Sequence, residues 1–120
     1  VSIIIDTSVW IDHLRKPVQE VVEILENENA LSHSWIVGEL STGQIKDRSI
    51  FLGNLKLLPQ AKEASLSELL EFIEEHRLFG LGLSLIDIQV LASTLLSDAQ
   101  VLTRDRAMQG AAKKLKILHE

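Results

Sequence analysis

Val1-Ser2-Ile3-Ile4-Ile5-Asp6 opens the chain with a β-branched run that closes on an acid. The run is too short for a helix, and its unbroken apolar character is typical of a strand covered on both faces in a parallel sheet. From Thr7 to Leu14 the pattern turns helical, so Asp6 falls at the strand's carboxyl end. The same alternation continues along the chain. Pro17 opens a helix with Val18, Val21, Val22 and Leu25 at helical spacing, and Ala30-Leu31-Ser32 reads as a second short strand. Trp35, Ile36 and Leu40 mark a third helix running towards Gly43, with Glu39 embedded in it. Ile45 to Leu55 reads as a further helix and Lys56-Leu57-Leu58, before Pro59, as an edge strand. Ser65-Leu66-Ser67-Glu68 starts a helix through His76 by the capping-box pattern, and Gly80 and Gly82 break it. Ser84 to Ser97 is an apolar helix, Gln100 to Thr103 a strand, Asp105 to Lys114 a helix and Leu115 to Leu118 a last strand. Such alternation predicts an α/β fold, a mainly parallel sheet with helices on both faces, whose ligands bind beyond the carboxyl ends of the strands.

Composition narrows the field of functions. A length of 120 residues suits one domain, residues 1–120, and 46% hydrophobic with 24% charged residues is ordinary globular content. With no cysteine the chain forms no disulfide, cysteine-ligated zinc site, iron–sulfur cluster or thiol nucleophile, which fits a reducing cytoplasm. No basic segment precedes an apolar run at Val1, so a secretory signal is not expected. Leu78 to Leu96 has the length of a membrane span, but Asp87 near its centre costs about 2.5–3.5 kcal/mol for insertion. Gly80, Gly82, Gln89, Ser93 and Thr94 dilute the signal further, so a core helix and no membrane association is the expectation. The four histidines, His13, His33, His76 and His119, have no metal-motif spacing and read as surface residues.

Most of the 17 acids fall on outer helix faces, as Glu20, Glu23, Glu26 and Glu28 do. Four do not. Asp6 and Asp105 follow strands and belong at the sheet's carboxyl edge, Asp87 lies in the first turn of the apolar helix, and Glu39 stands one turn from Trp35 and Ile36. Each also has a purely structural reading: Asp6 as a cap, Asp105 as a favourable charge at a helix start, Ser84 with Asp87 as a capping box. Together, however, they form a cluster of like charges that a hard divalent cation would stabilise, and all-oxygen ligation favours Mg²⁺ or Mn²⁺ over zinc. Metal-assisted phosphodiester hydrolysis suits such a site. The net charge of −5 does not oppose a nucleic-acid substrate, because without these four acids the remaining 13 nearly balance the 12 lysines and arginines.

These residues resemble the PIN-domain ribonucleases, particularly the VapC-type toxins of toxin–antitoxin pairs, over nearly the whole chain. Ile3 to Ile11 resembles the family's opening strand and first acid, Val37-Gly38-Glu39-Leu40 with Gly43 the second acidic motif, Leu83 to Asp87 with Ala92 the third, and Leu102 to Arg106 the fourth. Met108 replaces a frequent aromatic, and Arg106 stands where some members carry another acid. The resemblance implies a compact three-layer α/β/α sandwich, RNA cleavage with Mg²⁺ or Mn²⁺, homodimers and a cognate antitoxin protein. Asp6, Glu39, Asp87 and Asp105 would be the catalytic and metal-holding acids, Thr7, Ser84 and Thr103 auxiliary groups, and Arg104 a contact to substrate phosphate. Trp10, Leu14, Phe51 and Leu52 are expected to offer apolar surface to a partner helix.

Other readings fare less well. A receiver domain needs a phosphoacceptor after a central strand and a late lysine, and an aspartyl phosphohydrolase needs an acid where Ser8 stands. Gly80-Leu81-Gly82 lacks the third glycine of a dinucleotide-binding loop, and Gly82-Leu83-Ser84 lacks the second glycine of a nucleophile elbow. The alternative from a different class is a catalytically idle PIN-like module that binds RNA or protein.

Overall fold

In the computed structural model, which describes residues 1–120, the opening run is the central strand. β1 (Ile3–Ile5) pairs in parallel with β2 (Ala30–Leu31) on one side and β3 (Gln100–Leu102) on the other, in the order β2-β1-β3. Ile3 lies beside Ala30 and Gln100, and Ile5 beside Leu102. Successive strand residues face opposite ways, yet Ile3, Ile4 and Ile5 are 3%, 0% and 1% exposed, so helices cover both faces of the sheet.

The connections supply those layers. α1 (Thr7–Arg15) and α2 (Gln19–Glu26) link β1 to β2, and α3 (Ser34–Ser41), α4 (Arg48–Leu57), α5 (Leu66–His76) and α6 (Leu85–Leu96) link β2 to β3. α7 (Arg106–Lys114) follows β3. α6 packs against β1 and β3 with every residue from Ile88 to Thr94 buried, as expected of a helix apolar all round. No helix is long and apolar enough to cross a membrane. The capping boxes expected at Ser65/Glu68 and Ser84/Asp87 are both present. Gly80 and Gly82 take φ of 69° and 79° in the turn between α5 and α6, a left-handed backbone that favours glycine.

Three local expectations are corrected. Lys56 and Leu57 belong to α4, which buries Leu52 and Leu55 three residues apart, and Leu58 is its cap. The strand-like contact falls after Pro59, where Ser32 bridges Gln60 in parallel and Ser32 N–H donates to the Pro59 carbonyl at 2.8 Å. The last strand shrinks to one bridge, Val101 with Leu118, because Leu115 closes α7 and Lys116 turns back with φ of 61°. α4 starts at Arg48 rather than Ile45, after Asp47 in the left-handed region.

His33 corrects the view of all histidines as surface residues, since it is 1% exposed. Its Nδ1 accepts from the Trp35 N–H at 3.0 Å, capping α3, and its Nε2 meets Ser93 Oγ at 2.8 Å. Ser93 donates to Gln89 Oε1, so His33 must donate through Nε2–H, and burial holds its pKa below the usual value in that neutral form. Gln89 closes the network by accepting from Ala64 N–H and donating to Ala64 C=O, both at 2.9 Å. These bonds fasten α3 and the α4–α5 connection to α6, the three elements that carry Glu39 and Asp87 into place.

Replacing Gln89 by leucine leaves two half-buried Ala64 backbone groups and the buried Ser93 hydroxyl without their partner, and an orphaned buried group costs about 1–3 kcal/mol. Gln89→Leu should therefore lose at least about 2 kcal/mol in urea unfolding, although leucine is the more hydrophobic residue. An unchanged unfolding midpoint would show that the network contributes no stability.

Candidate active site

Asp6 ends β1 and precedes α1, but its side chain does not cap that helix. It is 6% exposed, and its Oδ2 accepts from Thr103 Oγ1 at 2.7 Å and from Ser8 Oγ at 3.1 Å. Thr103 stands just past β3, so this bond joins the carboxyl ends of the two neighbouring strands. Both hydroxyls have a second partner. Thr103 Oγ1 accepts from Asp105 N–H at 3.1 Å, and Ser8 Oγ accepts from Arg104 N–H at 3.2 Å.

The other three acids are fixed by bonds of their own. Glu39 Oε1 accepts from Thr7 Oγ1 at 2.6 Å, bringing α3 against the start of α1. Asp87 Oδ2 accepts from Ser84 N–H at 2.9 Å, while Ser84 Oγ accepts from Asp87 N–H at 3.1 Å. Asp105 Oδ1 accepts from Met108 N–H at 3.0 Å as the N-cap of α7. The capping-box reading of Ser84 with Asp87 thus holds, Asp105 at its helix start is a side-chain N-cap, and the capping reading of Asp6 fails. At Glu39, Asp87 and Asp105 one oxygen is committed and the other accepts no hydrogen bond.

Burial pushes the Asp6 carboxyl above its ordinary pKa of 3.8, against the Thr103 hydroxyl, the Thr7 amide and the Ser8 hydroxyl, and the negative charge of Asp87 raises it further. Asp6 and Asp87 are therefore within electrostatic reach of each other. No three Asp, Glu or His side chains lie close enough to form a ready metal shell. The caps hold Asp87 and Asp105 to their own helix starts, and Thr7 holds Glu39.

One ion pair was not legible beforehand, and one hydroxyl was legible only by its place beside Asp6 in the opening motif. Ser8 stands two residues after Asp6, and only the folded α1 turns its hydroxyl back to the carboxylate. Asp12 pairs with Arg104 at 2.6 Å across 92 residues of sequence, so the arginine expected at substrate phosphate is anchored beside the site. Glu39 borders two open grooves. One, of about 490 Å³, includes Ile11, Arg15, Ile45 and Lys46, and the other, of about 580 Å³, includes Thr7, Trp35 and Ile86.

A short central parallel strand that ends on a buried acid and is covered by helices on both faces suits the PIN domain, and the chain belongs to that family, matching it over residues 3–114. It is 37% identical over 110 residues to Ribonuclease VapC32 of Mycobacterium tuberculosis, in strains CDC 1551 / Oshkosh and ATCC 25618 / H37Rv, with 91% of this chain and 89% of that protein covered. PAE2754 from Pyrobaculum aerophilum shares the fold in its crystal structure, with a TM-score of 0.62 at 15% identity over 94% of this chain and 81% of that one.

The raised carboxyl pKa gives a signed pH effect. The folded protein binds the Asp6 proton more tightly than the unfolded chain, so this stabilisation is complete below the ordinary value of 3.8 and is lost as pH rises through the raised one. Asp6→Asn keeps an acceptor for the two hydroxyls and removes the titration. In chelator, the variant should melt at or above the native protein at pH 8, and the difference should shrink as pH falls towards 4. A difference that grows on acidification would contradict the assignment.

Proposed function

We propose that the chain is a metal-dependent endoribonuclease, the toxin of a toxin–antitoxin pair, with Asp6, Glu39, Asp87 and Asp105 as its catalytic and metal-holding acids. One observation carries this: Asp6 is buried at the end of the central strand, and no lysine, arginine or histidine pairs with it. An unpaired buried carboxylate is costly to keep ionised, so the site is built to receive a cation. Likeness to Ribonuclease VapC32 over 91% of the chain supports RNA as the substrate.

The donor set fits Mg²⁺ or Mn²⁺, since every group is a carboxylate or hydroxyl oxygen. A ready shell of three acids is not required, because Mg²⁺ keeps several waters and is commonly held by one or two carboxylates together with substrate phosphate. These acids would hold the divalent cation, which would supply charge compensation, a Lewis acid for a phosphoryl oxygen and a water nucleophilic at neutral pH. The protein's part is preorganisation. Thr103 and Ser8 fix the Asp6 carboxylate, Ser84 fixes Asp87, and Thr7 fixes Glu39, so the acids face the substrate without first losing rotamer freedom. Arg104, half exposed in its pair with Asp12, is placed to exchange that carboxylate for an RNA phosphate.

The antitoxin fits an apolar groove of about 390 Å³ lined by Trp10, Leu14, Pro17, Leu25, Phe51 and Leu58. The expected four-residue patch is modified here. Trp10 and Leu52 pack into the chain's own core at 4% and 8% exposure, and Phe51 stands edge-on to Trp10 at 5.7 Å, leaving Leu14 as the exposed member. A homodimer and a reducing cytoplasmic location complete the proposal.

Asp87→Asn tests the acid site. Asparagine keeps an acceptor for the α6 cap and removes the charge that acts on Asp6, so the metal-free protein should melt no lower than the native one. Stabilisation by added Mg²⁺, about 2.7 kcal/mol at a hundred times Kd for the native site, should shrink, and RNA cleavage should fall at least about 100-fold. A variant that melts lower without metal, keeps its metal response and still cuts RNA would remove Asp87 from the site. The native products should carry 5′-phosphates, because water attacks rather than the 2′-hydroxyl, and a 2′,3′-cyclic phosphate would refute the mechanism.

A further inference from the structure

Thr103, whose hydroxyl holds Asp6, also lines an open groove of about 660 Å³ with Arg104, Arg106, Gly110 and Lys113. Three cations along one groove contrast with the chain's net charge of −5. Arg106 and Lys113 are seven residues apart on α7, two helical turns, which places them on one face about 10 Å apart along the axis. Neither has a carboxylate within ion-pair distance, whereas Arg104 is held by Asp12 at 2.6 Å. Two acids also line the groove, Glu20, which faces His119 at 3.7 Å, and Glu120.

Gly110 lies between the two free cations. A Cβ added there would meet nothing within 4 Å, so the protein's own packing does not require glycine, although glycine weakens a helix interior. The floor between Arg106 and Lys113 is therefore open to a chain lying along α7.

We propose that this groove carries the sugar–phosphate backbone of the RNA on one side of the scissile bond, with Arg106 and Lys113 contacting its phosphates. The inference rests on the ribonuclease reading and adds the substrate's path. A polyanion crossing the acid site needs cations beyond the metal, and this groove provides them in continuity with Thr103. Because the contacts are to phosphate, they add affinity without base preference.

The test compares Arg106→Glu and Lys113→Glu with Lys62→Glu, which makes the same change in net charge at an exposed position bonded through its N–H to Ser97, beyond the other end of α6. Binding of a fluorescein-labelled single-stranded RNA with phosphorothioate linkages is followed by anisotropy in Mg²⁺ across a salt series, alongside cleavage of the unmodified RNA and a thermal melt. Each groove variant should bind roughly ten-fold more weakly at low salt, with the log–log salt slope shallower by about 0.7, while Lys62→Glu follows the native protein. All three should melt like the native protein. If the groove variants bind and cleave like Lys62→Glu, the path is wrong even though the nuclease reading stands. If they lose binding as expected but the native protein never cleaves RNA, the path stands and the hydrolytic reading fails.

Discussion

Burial takes the Asp6 carboxyl out of water, and the hydroxyls of Thr103 at 2.7 Å and Ser8 at 3.1 Å replace only part of what hydration supplied. Its pKa rises for that reason, and much of the molecule's arrangement follows from keeping the group where it is. The Thr103 bond closes a contact between residues 97 apart and sets the carboxyl ends of β1 and β3 together. The backbone repeats the connection, since Asp6 N–H donates to the Leu102 carbonyl at 2.9 Å. A core built around Ile3, Ile4 and Ile5 supplies the energy to hold such a group, because apolar burial contributes roughly 25 cal/mol per Å².

Asp87, Asp105 and Glu39 are each held by ordinary folding devices. Asp87 and Asp105 are helix caps, and each commits one oxygen to a backbone N–H. A cap fixes a carboxylate's rotamer without consuming both of its oxygens, so the same residue can order a helix start and face a ligand. Glu39 reaches the same end by a side-chain bond to Thr7, because a residue in the interior of α3 has no free backbone N–H beside it. The buried His33–Ser93–Gln89 network then locks α3 to α6, so two of these acids sit on elements that cannot shift independently.

PAE2754 has this fold at 15% identity, which shows that the architecture tolerates wholesale replacement of its side chains. What the fold needs is narrower: apolar residues on the short strands, an apolar helix to cover them and turns of suitable length. Charge is distributed independently of that requirement. A chain of net charge −5 ends its central strand on the buried Asp6 and leaves Arg106 and Lys113 on α7 without ion-pair partners.

The alternation of short apolar runs with helical patterns was sufficient for the parallel α/β fold, because strand and helix periods are local properties of the chain. Asp6, Asp87 and Asp105 were legible for a related reason: an acid directly after a strand or in a helix's first turn has its place in the fold set by the element beside it. Glu39 depended on its contrast with Trp35 and Ile36. The edge strand at Lys56–Leu58 was misplaced because three residues, one of them charged, have no period of their own, and the burial of Leu52 and Leu55 settled it as helix. His33 looked like a surface histidine because its partners, Ser93 and Gln89, lie 60 and 56 positions away. By itself the sequence determined the alternation of strands with helices and the places of Asp6, Asp87 and Asp105 beside the elements they adjoin. Only the tertiary structure decided which oxygen each acid keeps free, that Asp12 holds Arg104 and that Asp6 lies buried against the hydroxyls of Thr103 and Ser8. Those outcomes depend on desolvation and hydrogen bonds between distant segments, which exist once the core has closed.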